Sequence, residues 1–172
     1  MGNQITIRQF IETDSTQVRE LFVRVNRLLA PVNLGNAFER YIVLSLREEI
    51  DRISEYYSER QGSFWVAFID AKIIGMFGLE QSGPTAMELR RMYVDPDQRR
   101  DGIGRKLLHF AENQCRANNF HQLELSTSEA QPEALLFYRN SGFELVREEI
   151  AEAANNKTIG GGIRRYYFKK NL

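Results

Sequence analysis

Gln98-Arg99-Arg100-Asp101-Gly102-Ile103-Gly104-Arg105-Lys106-Leu107-Leu108 is the stretch on which the fold turns. The residues before it, Met87 to Val94, are strand-like, and Asp95-Pro96-Asp97 ends that strand. After it, Ile103, Leu107, Ala111 and Cys115 recur every four positions, which predicts a helix from near Gly102 to about Asn118. A loop joining a strand to a helix N-terminus offers backbone N–H groups that have no intrahelical acceptor. The helix dipole adds partial positive charge, so the position suits a phosphate or pyrophosphate. Gly102 and Gly104 let the backbone approach such a ligand with no Cβ in the way. Arg99, Arg100, Arg105 and Lys106 place cations around the same point. Two common phosphate motifs do not fit: Gly followed five residues later by Gly-Lys-Ser/Thr is absent, and the dinucleotide fingerprint needs Gly or Ala where Leu107 stands.

Upstream, Ile5, Ile7 and Phe10 make a short strand. Thr13-Asp14-Ser15 caps a helix with Val18, Leu21, Phe22, Val25, Leu28 and Leu29 on one stripe, stopped by Pro31. Asn33-Leu34-Gly35-Asn36 reads as a loop, and Phe38, Ile42, Leu46, Ile50, Ile53 and Tyr57 as one further helix with its charges on the other face. The period then changes. Phe64–Ile69 and Ile73–Leu79 are strands about an Asp70-Ala71 turn, and Ser82-Gly83-Pro84 leads into Met87–Val94, giving an antiparallel meander. Downstream, Gln122–Ser126 is a short strand, and Pro132 and Gly142 bracket a helix. Phe143–Ile150 and Ile163–Lys169 close the chain as strands around a mobile hairpin loop, Asn155–Gly162. Simple alternation puts Glu88, Arg90, Met92 and Val94 on one face of their strand, and Leu89, Arg91 and Tyr93 on the other. The class is α/β (α+β): one domain over residues 1–172, a mixed sheet covered on both faces by helices.

Composition bounds the function. The 172 residues carry 23 Lys+Arg against 23 Asp+Glu, which removes the basic bias expected of a nucleic-acid or anionic-membrane binder. The longest apolar run, Phe64 to Ile69, is far short of the ~20 residues a membrane span needs. Met1 to Thr6 lacks the basic and apolar regions of a signal peptide, and the single Cys115 fits a reducing compartment, so a cytoplasmic location is expected. Met1-Gly2 with Thr6 matches an N-myristoylation pattern, but Ile5 and Ile7 alternating with Thr6 and Arg8 read as the first strand. His109 and His121 have no metal-ligand spacing, and no metal is expected.

Glu88-Leu89-Arg90-Arg91-Met92-Tyr93-Val94-Asp95-Pro96 followed by Gln98 to Leu108 resembles the GNAT superfamily of acetyl-CoA-dependent N-acetyltransferases. Its signature Gln/Arg-x-x-Gly-x-Gly/Ala is met by Arg99, Gly102 and Gly104, and its second element by Ala134-Leu135-Leu136-Phe137-Tyr138-Arg139-Asn140-Ser141-Gly142-Phe143. The resemblance implies a mostly antiparallel sheet of about seven strands and about four helices, splayed where the cofactor enters. It implies acetyl-CoA as cosubstrate, with Arg99, Arg100, Asp101, Gly102, Ile103, Gly104 and Arg105 at the pyrophosphate. Met92, Tyr93 and Val94 would pair with the pantetheine, Gln131 (where the family often has Asn) would hydrogen-bond it, and Phe137 is implied as a further cofactor-binding residue. Tyr138 is implied to protonate the leaving thiolate. Glu88 stands beside that slot as the acceptor of the amine's proton, since an amine of pKa ~10 must lose one before attack. The expected partners are acetyl-CoA and a primary amine, without nucleic acid or membrane, and a homodimer is compatible with this. Glu48, Glu49, Asp51 and Glu55 on the second helix are candidates for attracting a cationic amine. A non-catalytic acyl-CoA sensor is the competing class.

Overall fold

Amphipathic periods sort the apolar residues into two cores, one on each face of a sheet. The computed structural model describes residues 4–99 and 101–172. Along the chain lie β1 (Thr6–Gln9), α1 (Ser15–Leu29), α2 (Gly35–Glu48), α3 (Ile53–Glu59), β2 (Ser63–Ile69), β3 (Lys72–Gly83) and β4 (Ala86–Val94). Then come α4 (Ile103–Ala117), β5 (Gln122–Ser128), α5 (Pro132–Asn140), β6 (Glu144–Ala151) and β7 (Ile163–Asn171). The sheet runs β1-β2-β3-β4-β5-β7-β6, antiparallel throughout except between β4 and β5. On one face α1 to α3 bury Val18, Phe22, Phe38 and Tyr56; on the other α4 and α5 bury Leu107, Ala111 and Tyr138. Cys115 lies in this second core, where burial pushes its thiol up to about 11. Among the described residues no helix is long and apolar enough to cross a membrane.

The expected splay is present. β4 and β5 pair only over Ala86–Glu88 and Gln122–Glu124, then part, leaving the backbone of Met92 to Val94 without a strand partner on that side among the described residues.

Three expectations need correction. The second helix is not continuous: it breaks at Glu49 (φ −139°, ψ −61°), a short 3-10 turn follows, and α3 starts anew at Ile53. The break turns the Glu49 side chain inward to buried arginines, a demand that apolar periodicity does not register. The Asn33–Asn36 loop is a 3-10 turn that runs into α2 at Gly35. Asn155–Gly162 is not a mobile loop. The Asn155 side chain accepts the N–H groups of Lys157 (2.7 Å) and Thr158 (2.9 Å), and Ile159 is buried in the α1–α3 core. Gly160 permits this close packing, since at φ +76° a Cβ would sit 2.6 Å from the backbone of Ala154.

The alternation of β4 also fails, at a bulge. Arg90 pairs with Gly78 and Tyr93 with Met76, so Arg91 and Met92 together stand opposite Phe77. Arg91 takes a left-handed φ of 53° there. Tyr93 consequently packs on Phe22 in the α1–α3 core, while Met92 and Val94 join Met87 and Leu89 against α4. Glu88 therefore does not share a face with Met92 and Val94; it shares one with Arg90, Arg91 and Tyr93.

Candidate active site

Two hollows meet at the splay. The larger, a cleft of about 1080 Å³, is walled by Met92, Tyr93, Val94, Arg99, Gly102 to Arg105, Gln131 and Phe137, with Tyr138 at its base. The first helical hydrogen bond of α4 runs from Lys106 N–H to Gly102 C=O at 3.1 Å, so the N–H groups of Ile103, Gly104 and Arg105 have no intrahelical acceptor. Gly102 sits at φ +72°, a left-handed conformation that turns the loop into the helix. A Cβ on Gly104 would come no nearer than 3.8 Å to Phe137, so among the described residues there is open space beside this glycine. These features fit a phosphorylated ligand with an extended arm. Ile103 itself is buried in the core, and only its N–H is offered. Arg99 and Arg105 are exposed, Arg99 lying 3.9 Å from Glu133. Asp101 is exposed and does not line the cleft. Arg100 lies outside the described residues.

Tyr138 packs edge-on against Phe137 and Phe143, ring centroids 5.3 and 5.6 Å apart. Burial, reinforced by the Tyr93 phenol, raises its hydroxyl well above the usual value. The phenol therefore carries its proton at neutral pH and can act as a donor.

The smaller hollow, about 80 Å³, shares Leu29, Tyr93 and Gln131 with the cleft. Its other walls include Tyr41, Glu88, Arg90, Arg91, Ser126 to Ser128, Asn156, Lys157 and Arg165. Behind it lies Glu49, with no exposed surface. Glu49 accepts from Arg91 Nε at 2.9 Å, from the Tyr57 hydroxyl at 2.9 Å, and from Arg90. Burial would raise this carboxyl, but the Arg91 and Arg90 charges outweigh it and hold the group at about 2. Arg91 also donates to the Tyr41 hydroxyl and to the Asn156 carbonyl. Glu88 Oε2 accepts from Lys157 at 2.8 Å, and Lys157 donates to Glu80 as well. Gln131 caps the start of α5, and its amide oxygen accepts from the Thr127 hydroxyl.

The acidic residues of the second helix thus divide. Glu48, Asp51 and Glu55 pair with Arg47, Arg19 and Arg52 at the surface, while Glu49 anchors the buried arginines. Sequence reasoning missed Arg165, Tyr41, Asn156 and Lys157. Arg165 had a usable signal: it stands two residues after the buried Ile163, so strand alternation turns it inward.

A pyrophosphate-ready helix end beside splayed strands, with an extended cleft between them, defines a protein of the acyl-coenzyme A transferase type. Residues 60–145 match the family described as acetyltransferase (GNAT) domain, and the chain belongs to that family. It is 32% identical to human N-acetyltransferase 8 over 110 residues, covering 60% of this chain and 48% of that protein. It is 33% identical to Xenopus tropicalis N-acetylaspartate synthetase over 120 residues, covering 63% of this chain and 43% of the relative. The chain spans about half the length of the curated relatives it matches. Among solved structures, the fold resembles the PaiA N-acetyltransferase of Thermoplasma acidophilum in complex with coenzyme A (TM-score 0.75, 20% identity, 98% and 99% of the two chains). It equally resembles a GNAT acetyltransferase of Staphylococcus aureus Mu50 (TM-score 0.75, 20% identity, 98% and 99%).

Proposed function

We propose that this chain transfers an acetyl group from acetyl-CoA to a primary amine by direct attack in a ternary complex. The observation that carries the reading is the junction at Leu29, Tyr93 and Gln131, where a cleft suited to a phosphorylated, extended ligand adjoins a charged cavity. When bound, acetyl-CoA supplies an acetyl thioester: the amine nitrogen bonds the acetyl carbon, the C–S bond breaks, and the products are an N-acetyl amine and the free thiol. The N–H groups of Ile103 to Arg105 hold the pyrophosphate, and the Met92–Val94 backbone orients the arm. Glu88 takes the amine's proton, directly or through water, and Tyr138 gives one to the sulfur. Lys157, at 2.8 Å, and Arg90, at 3.9 Å, hold the Glu88 carboxylate in place. The names of the two curated relatives support amine acetylation, and a buried Tyr138 that keeps its proton at the base of the cleft favours catalysis over a silent acyl-CoA sensor.

Acetyl-CoA should raise the melting temperature where NAD and ATP do not, and coenzyme A should be released when a panel of amines is added. Stabilisation without release from any amine would favour the sensor; stabilisation by NAD or ATP alone would reject the cofactor.

A further inference from the structure

The small cavity holds one more cation than its carboxylates answer. Four basic side chains line it: Arg90, Arg91, Lys157 and Arg165. Glu49 meets Arg90 and Arg91, and Glu80 and Glu88 meet Lys157. Arg165 differs. It is 6% exposed, and among the described residues it makes one side-chain hydrogen bond, from Nη2 to Ser126 Oγ at 2.7 Å. Its Nε is buried with no partner. Glu149 stands opposite it in the β6–β7 register, but that carboxylate is held by Arg147 at 2.8 Å and by the Tyr167 hydroxyl. A buried guanidinium with an idle donor and no paired anion is unfavourable unless a ligand completes it. Tyr41 senses the same excess. Burial would raise its phenol, yet Arg91, Arg165 and Arg90 together bring it below the ordinary value.

We propose that the acceptor amine carries a carboxylate, bound by Arg165, so that the substrate is an amino acid or a similar small amino-carboxylic acid. The inference rests on the acetyl-transfer reading and deepens it. A planar fork of N–H donors matches a carboxylate, and a cavity of about 80 Å³ admits the charged end of a small molecule. Glu88, on another wall of the same cavity, then receives the ammonium end. Opposite charges at the two ends orient the nitrogen toward the cleft.

The test compares coenzyme A release from amino acids with release from their amides and decarboxylated amines, with spermidine and phosphoethanolamine as further arms. The best amino acid should exceed its amide by ~10²-fold in kcat/KM, the discrimination expected when a buried charged group loses its partner. Arg165→Gln should reduce that ratio to a few-fold, chiefly through KM, leaving stabilisation by acetyl-CoA intact. Arg165→Lys should restore part of it. Best turnover of amides, spermidine or phosphoethanolamine, or an equal loss for every acceptor in Arg165→Gln, would overturn the assignment. Should Arg165→Gln not fold, calorimetric titration of the wild type with N-acetyl amino acids and their amides decides: binding of acids alone supports the proposal, and equal binding rejects it. Absence of acetyl-CoA binding would sink the acetyl-transfer reading instead, a separate readout.

Discussion

The large cleft and the small charged cavity share a wall, yet they are made of different material. The cleft presents backbone: consecutive N–H groups at the start of α4 and an unpaired stretch of β4. The cavity presents side chains, drawn from α1, α2, β4, β5, β7 and the Asn155–Gly162 turn. Backbone groups come with the fold and survive most substitutions. A side-chain constellation depends on every member, and a missing charge leaves its partners stranded.

Four substitutions probe this contrast. The largest effect should come from Tyr138→Phe, which keeps the ring packing and removes only the hydroxyl: kcat should fall ~10²–10⁴-fold with acetyl-CoA affinity unchanged. An unaltered kcat in single-turnover kinetics would make Tyr138 a packing residue.

Next is Glu49→Gln, which leaves Arg90 and Arg91 buried without their anion and should cost about 3–5 kcal/mol in urea unfolding. The sign of its pH dependence follows from the lowered carboxyl. The folded value, about 2, lies below the ordinary 4.5, so the stabilisation is complete above that value and lost as pH falls toward 2. Across this window the wild type should lose about 3 kcal/mol more than Glu49→Gln. Parallel acid-unfolding curves would remove Glu49 from its anchoring role.

A cleft substitution ranks third. In Gly102→Val no atom of the described residues beyond the chain neighbours lies within 4 Å of the added Cβ, so the strain comes from φ +72°, about 1–2 kcal/mol. The folded protein should persist while losing the stabilisation by acetyl-CoA, about 2.7 kcal/mol at a hundredfold excess over Kd. Retained stabilisation would show that the loop backbone does not hold the cofactor.

The smallest effect belongs to Glu88→Gln, on the order of tenfold in kcat/KM, because water can relay the proton. The deficit should be greatest near neutral pH and shrink at alkaline pH, where more amine is already neutral. A pH–rate profile overlaying the wild type would exclude Glu88 as the acceptor.

The same contrast governs what the sequence revealed. Gly102, Gly104 and Tyr138 sit within one strand–loop–helix–strand–helix segment, and their spacing survives in the linear text. The strands and α4 follow from periods of two and of three to four residues, and the splay from the family resemblance. The cavity does not follow, because Glu49, Arg91, Asn156 and Arg165 are brought together only by tertiary packing. Glu49 looks like one member of a solvated acidic run until the helix breaks at it. Lys157 looks like loop until Asn155 folds the turn over Glu88. The bulge at Arg91 is invisible because its cost in backbone conformation is met by distant groups, Glu49 and Tyr41, rather than by a local glycine.

That bulge has an electrostatic consequence. A regular strand offers a side chain to a given face only every second residue, about 6.8 Å apart. With an extra residue inserted, the neighbours Arg90 and Arg91 both reach the single carboxylate of Glu49, doubling the linear charge density of the strand at that spot. One anion satisfies two cations there, and Arg165 adds a third charge that acts on the Tyr41 phenol. A chain with 23 basic and 23 acidic residues thereby gathers one cation in excess of its carboxylates in the middle of its sheet. The field comes from backbone phase, and composition gives no notice of it.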